Sequence, residues 1–169
     1  MANIAHACAE ALQLVERFGI KTAPVPIERI ARALGVKVQY SPFDDELSGM
    51  AFIKGGVPMI GVNSLHHPNR QRFTIAHELA HIQLHRGQLE NAVHVDKGSL
   101  RRDLLSAAGT DPTEREANAF AAELLMPRAF LAAALNGRTL DLENEELVAA
   151  LAKRFRVSTT ALQHRLQNE

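Results

Sequence analysis

Apolar and polar residues follow distinct rhythms along the first sixty residues, and each rhythm predicts a type of secondary structure. Apolar positions at helical spacing predict helices, and short runs rich in β-branched residues predict strands. In chain order, the predicted elements are helices over 4–18 and 25–34, a strand over 36–40, and two strands over 48–53 and 57–62. Lys54-Gly55-Gly56 separates the last two strands and predicts a β-hairpin. Pro58 cannot donate a backbone hydrogen bond, so its strand, or that end of it, is expected at a sheet edge.

The next apolar series predicts a long helix that begins near Pro68 and ends at Gly87. The residues around Pro68 include cap-type side chains, and a proline suits the first helical turn. Apolar residues then recur every three or four positions, and His77 and His81 lie on the same inward stripe. A buried imidazole needs a polar partner, and one metal ion can serve two of them.

A second long helix is predicted over residues 111–127. Asp111 or Thr113 can cap its start, and Pro127 marks its far end. One stripe of this helix combines a carboxylate, an amide and small apolar residues, namely Glu114, Asn118, Ala121, Ala122 and Leu125. The small alanines would let this helix approach the His77 helix closely.

The remaining segments predict a loop and a helical pair. Residues 87–110 carry little periodicity and are predicted to form a loop, with a short helix near Leu100 to Ala107. Residues 145–167 have the rhythm of a helix-turn-helix pair, in which Ser158 caps the second helix. The elements together predict an α+β fold in which a small antiparallel or mixed sheet packs on helices.

Composition limits the class of protein. A chain of 169 residues with 46% apolar content can bury one core, and we predict a main domain over 1–131 with a helical extension over 132–169 packed on it. The 19 basic residues balance the 19 acidic ones, so no basic field favours nucleic acid. A single cysteine, Cys8, excludes an internal disulfide. Neither a signal sequence nor an apolar run of about 18 residues is visible, so a cytoplasmic protein without membrane contact is expected.

The segment His77-Glu78-Leu79-Ala80-His81 carries the chemistry. Residues four apart share one face of a helix, so His77 and His81 can bind one zinc ion. Glu78 is rotated by about 100° from His77, where it can act as general base on a water molecule without binding the metal. His85 lies one turn further along the helix, too far for a straight helix to give a third ligand, so a hydrogen bond to a ligand is expected there.

The third ligand is predicted to be Glu114 on the second long helix. Glu116 is the substitute if Glu114 points outward, although it shares its side with Phe120 and Glu123, a less coherent inward face. Asn118, one turn after Glu114, is expected to hydrogen-bond a ligand. Two histidines, one carboxylate and a water would form the open tetrahedral site of a catalytic zinc.

Two blocks of the sequence together resemble the ImmA/IrrE family of zinc metallopeptidases. They are residues 72–81 (RFTIAHELAH) and residues 114–127 (EREANAFAAELLMP), and the likeness extends to residues 26–36 (PIERIARALGV). It covers most of the chain up to about Leu131. Members of the family often have glycine where this chain has Ala80, a change that leaves helix and ligands intact.

The resemblance implies a function. It implies a minimal zincin-type domain with a gluzincin-like site of two histidines, one glutamate and one zinc ion. It also implies a bacterial or phage-related cytoplasmic endopeptidase that cuts a transcriptional repressor, often one encoded beside it, in response to DNA damage or another stress. The partner would then be a helix-turn-helix repressor. The rival interpretation is a non-hydrolytic zinc-binding regulator that binds a repressor or DNA.

The substrate side is expected at the first hairpin strand. A zincin places an exposed edge strand along its cleft, and an extended substrate could pair with it by strand addition. The four residues expected to line this side are Gly49, Met50, Ala51 and Phe52. The alternative is that they form ordinary core sheet.

Two further roles stay open at the level of sequence. The oxyanion of the reaction could be stabilised by His94, by an arginine at 101–102 or by Tyr40, and the sequence does not choose among them. A DNA-reading second helix of the C-terminal pair would present Thr159, Thr160, Gln163, His164 and Arg165. The neutral net charge gives DNA binding no support.

Overall fold

The structure is a computed structural model that describes residues 1–97 and 111–168. Helices and a small sheet alternate along the chain, which confirms the predicted α+β class. In chain order, the elements are α1 Ile4–Arg17, α2 Ile27–Ala33, β1 Lys37–Ser41, β2 Gly49–Lys54, β3 Val57–Asn63, α3 Pro68–Leu84, α4 Arg86–Leu89, β4 His94–Asp96, α5 Pro112–Leu125, α6 Arg128–Leu135, α7 Glu145–Phe155 and α8 Thr159–Gln167.

The sheet is mixed and, within the described chain, has the strand order β1-β3-β2-β4. Strand β1 runs parallel to β3, whereas β2 pairs antiparallel with β3 and with β4. The predicted hairpin is confirmed as β2 and β3. Its turn contains Gly55 and Gly56 with φ of 58° and 77°, and consecutive positive φ angles are what a two-residue hairpin turn requires.

Pro58 lies in a central strand, so the edge prediction is wrong for β3 as a whole. Pairing with β1 begins only at Lys37 opposite Met59, so the end of β3 that contains Pro58 extends past β1. Pro58 is therefore paired on one side, with Ile53 of β2, and has no partner in β1. The narrower prediction, that this end of the strand is an edge, is confirmed.

Helix α3 ends earlier than predicted. It begins at Pro68 as expected, with the His67 side chain accepting a hydrogen bond from the amide of Asn69. It stops at Leu84, because His85 leaves the helical conformation with φ of −125° and ψ of 27°. A short helix, α4, then begins at Arg86 and contains Gly87. The predicted loop also contains strand β4, while the short helix predicted near 100–107 lies outside the described residues.

Helix α5 packs against both α1 and α3, so it is buried on two sides. Asp111 caps its start, as predicted, by accepting from the amide of Thr113. Ala117 and Ala121 are fully buried, and such small side chains permit close helix contact. Phe120 and Glu123 are buried as well, which corrects the expectation that their side is a poor inward face. Within the described chain no single helix is long and apolar enough to cross a membrane, although α5 and α6 pass that test together across a 43° bend.

The C-terminal helices α7 and α8 are tied to the rest by polar contacts as well as by apolar packing. Ser158 caps α8 as predicted. Arg165 points inward, where its guanidinium pairs with Glu123 at 2.5 Å and donates to the carbonyl of Met126 at 3.2 Å. It is therefore not available to read DNA, as the helix-turn-helix hypothesis required. The boundary predicted between residues 131 and 132 stays a prediction.

The ion pair between Arg165 and Glu123 supports a stability prediction. Their side chains are 9% and 3% exposed, and removing one partner of a buried pair leaves the other charge uncompensated. We expect Arg165→Ala to lower the free energy of unfolding by about 3 kcal/mol in urea denaturation. The matched control is His164→Ala at the exposed neighbouring position. Equal stability of the two variants would show that the pair contributes nothing.

Candidate metal centre

Helix α3 presents two imidazoles to the interior, one turn apart. His77 is fully buried and His81 is 2% exposed, and their Nε2 atoms lie 3.2 Å from each other. Burial lowers the pKa of His81 to about 4, so this imidazole is neutral near pH 7. A neutral imidazole keeps a lone pair on one ring nitrogen.

Helix α5 brings a carboxylate to the same place. Glu114 Oε2 lies 3.2 Å from His77 Nε2, and Glu114 Oε1 lies 3.1 Å from His81 Nε2. Burial alone would raise the pKa of Glu114, but the imidazole of His94, which donates to this carboxylate, holds it well below its usual range. Glu114 is therefore ionised and offers further electron pairs to the cluster.

The outer nitrogens of both histidines have acceptors that fix the tautomers. His77 Nδ1 donates to Asn118 Oδ1 at 3.0 Å. His85 Nε2 donates to Glu116 Oε2 at 2.7 Å, which leaves His85 Nδ1 to accept from His81 Nδ1 at 3.1 Å. In these tautomers the Nε2 lone pairs of His77 and His81 both point toward Glu114.

Three acceptors thus converge where none of them can donate. Buried acceptors that face one another repel unless a cation lies between them. The two imidazole nitrogens lie 3.2 Å apart, and each lies 3.1 to 3.2 Å from a different oxygen of Glu114. These separations are close to the edge of about 3.3 Å of a tetrahedron with zinc-ligand distances of about 2.0–2.1 Å. Two imidazoles and a carboxylate are also the ligand types of catalytic zinc sites, so this donor set fits zinc.

Glu78 lies beside the cluster and is fully buried. Its Oε2 accepts from His94 Nδ1 at 2.9 Å, whereas its Oε1 is buried without a hydrogen-bond partner among the described residues. Burial raises the pKa of Glu78 above its ordinary value, although His94 and His77 oppose the shift. A carboxylate with one unpaired buried oxygen and a raised pKa has the properties of a general base.

His94 on strand β4 joins the cluster from the sheet. Its Nε2 lies 2.7 Å from Glu114 Oε1, and its ring stacks on that of His81 with 3.8 Å between centroids. Burial opposes the charged form of His94, but hydrogen bonds to Glu114 and Glu78 outweigh it and raise the pKa to about 10. His94 was one of three candidates in the sequence, and it is brought to the cluster with His77, His81 and Glu114.

The sequence contained a signal for strand β4 that the loop prediction missed. Val93, His94, Val95 and Asp96 alternate between apolar and polar residues, as in a half-buried strand. The two valines are 54% and 43% exposed, whereas Asp96 is 4% exposed and lies near His77 and Glu78. The polar residues therefore face inward, the reverse of the usual order, and Asp96 was not anticipated.

The other predicted site residues lie either outside the cluster or outside the described residues. Glu116 does not join the cluster, because it accepts from the amide of Asn3 at 2.6 Å and from His85. These two hydrogen bonds lower its pKa. Tyr40 donates to Glu28, outside the cluster. Arg101 and Arg102 lie outside the described residues.

Strand β2 is covered where a substrate strand was expected to pair. Gly49, Met50 and Ala51 pair with Asp96, Val95 and His94, so β4 already occupies that edge. The expectation that this stretch is an open edge is therefore wrong. A Cβ atom on Gly49 would lie 2.4 Å from Thr74 Cγ2 and 2.7 Å from the carbonyl oxygen of Gly61, so this position lets the sheet approach α3 closely.

Comparisons with known proteins agree with this geometry. A family model described as the IrrE N-terminal-like domain of the M78 peptidases matches residues 31–167. No curated protein matches the sequence significantly. Among solved structures, the chain is similar to a Mycobacterium tuberculosis transcriptional regulator, with 19% sequence identity and a TM-score of 0.59. The match covers 96% of this chain but 46% of that one, and at this identity it shows a shared fold.

Proposed function

The chain belongs to the IrrE N-terminal-like domain family of M78 peptidases, and from that premise we propose that it is a zinc-dependent endopeptidase acting on a regulatory protein. The family supports a metallopeptidase fold and protein substrates. The observation that carries the proposal is the convergence of His77, His81 and Glu114 as acceptors beside the unpaired Oε1 of Glu78.

The three converging acceptors would hold one zinc ion. When bound, the zinc would supply Lewis-acid activation of water and of the scissile carbonyl. Asn118 and the His85–Glu116 pair would orient the two imidazoles through their Nδ1 atoms. Glu114 is preferred to Glu116 as the carboxylate ligand, because Glu116 is already engaged with His85 and with the amide of Asn3.

Glu78 would act as general base and then as general acid. Its Oε1 is free to accept the proton of the attacking water, and the same oxygen can pass that proton to the leaving amine. The raised pKa of Glu78 favours both transfers near neutral pH. His94, whose pKa is raised to about 10, would be protonated. Its Nε2–H, which lies 2.7 Å from Glu114 Oε1, could turn from Glu114 to the negative oxygen of the tetrahedral intermediate.

The substrate would lie along β4 rather than along β2. Among the described residues β4 is the edge of the sheet next to the cluster, and it carries His94. A substrate strand added there would place its backbone near Glu78 and Glu114. Gly49, Met50 and Ala51, which pair with β4, would then lie one strand away from the substrate, and Phe52 would follow them on β2.

The substrate class we favour is a helix-turn-helix repressor, encoded beside the protease and cut under stress. The support is the family resemblance together with a structural relative described as a transcriptional regulator. The rival function is a non-hydrolytic zinc regulator that binds a repressor or DNA. The inward position of Arg165 weakens the DNA form of that rival.

Glu78→Gln separates the two functions. The amide keeps the size of the side chain but cannot accept the proton of water, so we expect zinc content to stay normal while cleavage falls at least about 100-fold. Zinc is measured by elemental analysis, and cleavage by mass spectrometry of a repressor that the unaltered protein cuts. A zinc-loaded variant that still cuts at the original rate would contradict the proposed role of Glu78, and a protein that binds the repressor without cutting it would favour the rival.

Glu116→Gln tests the support of His81. The neutral amide weakens the hydrogen bond that orients His85, and changes at such supporting positions cost about 10–100-fold in metal affinity. We expect a zinc dissociation constant at least 10-fold higher in competition with a chelator of known affinity. Glu16→Gln, at an exposed position of α1, is the matched control. Equal affinities for the two variants would show that His81 needs no such support.

A further inference from the structure

A second charged site lies away from the zinc cluster. Helix α2, the start of α3 and the turn between α7 and α8 line an open cleft of about 400 Å³. Its charged lining consists of Glu28, Arg29, Arg32, Arg72 and Arg156. None of the residues assigned to the zinc site lines it. Four guanidinium groups against one carboxylate make this cleft strongly positive in a chain whose net charge is zero.

Arg72 is the buried member of the set. It is 8% exposed, and it donates from Nε to the carbonyl of Arg156 at 3.2 Å and from Nη2 to the carbonyl of Val25 at 2.9 Å. No carboxylate of residues 1–97 or 111–168 lies within ion-pair distance of it. Burial and the charge of Arg156 lower the pKa of Arg72 to about 10, although the charge of Glu28 opposes the shift. A buried cation without an acidic partner is costly, and a bound anion would compensate it.

Arg156 occupies a backbone position at which arginine has no conformational advantage. It follows the last residue of α7 with φ of 55° and ψ of 48°, in the left-handed region where helices usually end on glycine. Its side chain is exposed and lines the cleft. The backbone alone would favour glycine at this position. We therefore attribute the presence of arginine to its guanidinium group, which lines the cleft.

Glu28 neutralises the cleft only in part. One of its oxygens accepts from the hydroxyl of Tyr40 at 2.5 Å, and the other accepts from Arg32 Nη2 at 3.3 Å. The carboxylate of Glu28 is thus already engaged by Arg32 and by the hydroxyl of Tyr40. Arg29, Arg72 and Arg156 form no ion pair with a carboxylate in the described part of the chain.

We propose that this cleft binds a small anionic ligand through a phosphate group. Guanidinium groups match the tetrahedral, multiply charged phosphate with paired hydrogen bonds, and four of them line this cleft. The volume is within the range of small-molecule sites. A ligand in the cleft would contact α2, the helix that carries His77 and His81, and the turn of the C-terminal pair, so it would join all three segments.

Isothermal titration calorimetry tests the proposal with inorganic phosphate, pyrophosphate and adenosine diphosphate as probes. Ionic strength is held constant with chloride, and acetate serves as the carboxylate control. The proposal expects saturable binding of at least one phosphate probe and none of acetate. Tighter binding of adenosine diphosphate than of pyrophosphate would identify a nucleotide site, and equal binding would identify recognition of phosphate alone. Absence of binding by all three phosphate probes at millimolar concentration would overturn the proposal.

Arg156→Gly is the informative variant, because glycine is favoured by the left-handed backbone and the fold should be kept. Loss of one charged hydrogen bond is expected to weaken binding about 10-fold or more. Arg154→Gln removes the same charge from an exposed position of α7 outside the cleft and should leave the dissociation constant unchanged. Equal binding by the two variants would place the anion elsewhere, including at the zinc site, and would overturn the proposal.

Discussion

Three electron-pair donors that face one another inside a protein impose the main constraint on this fold. His77, His81 and Glu114 approach within 3.1 to 3.2 Å, and the hydrogen bonds on their outer sides leave none of them able to donate inward. Such an arrangement is costly without a cation and favourable with one. The packing of α3 on α5 brings these three side chains together, and β4 places His94 beside Glu114.

The surroundings of the cluster explain why the fold can hold it. Helix α5 lies between α1 and α3, and its small residues let the Glu114 carboxylate reach the face of α3 that bears both histidines. Glu116, on the same helix, instead links the amide of Asn3 at the start of α1 to His85. Helix α5 thus provides the candidate ligand Glu114 and also, through Glu116 and His85, the hydrogen bonds that orient His81. Small shifts of α5 would alter the position of both candidate ligands.

Local signals made a large part of this structure predictable. Pro68, Asp111 and Ser158 mark helix starts, and Gly55 with Gly56 marks the hairpin, because each acts through its own backbone or its nearest neighbours. The spacing of His77 and His81 and the stripe that includes Glu114 were readable for the same reason.

Features that depend on distant contacts could not be predicted in the same way. The strand order puts Pro58 in a central strand, and β4 covers the edge of β2, although nothing near either segment indicates its partner. Arg165 turns inward to pair with the buried Glu123, which is 42 residues away in the sequence. His94 and Asp96 face inward on a strand of three residues, which is too short for its alternation to stand out.

X-ray absorption at the zinc edge of the zinc-loaded protein tests the central claim most directly. The account predicts one zinc per chain with four nitrogen or oxygen neighbours at about 2.0–2.1 Å, two of them imidazoles. His94→Gln should leave that imidazole count at two, because His94 is assigned to Glu78 and the substrate. A count of three that falls to two in His94→Gln would contradict the assignment of His94, and a protein that takes up no zinc would contradict the account as a whole.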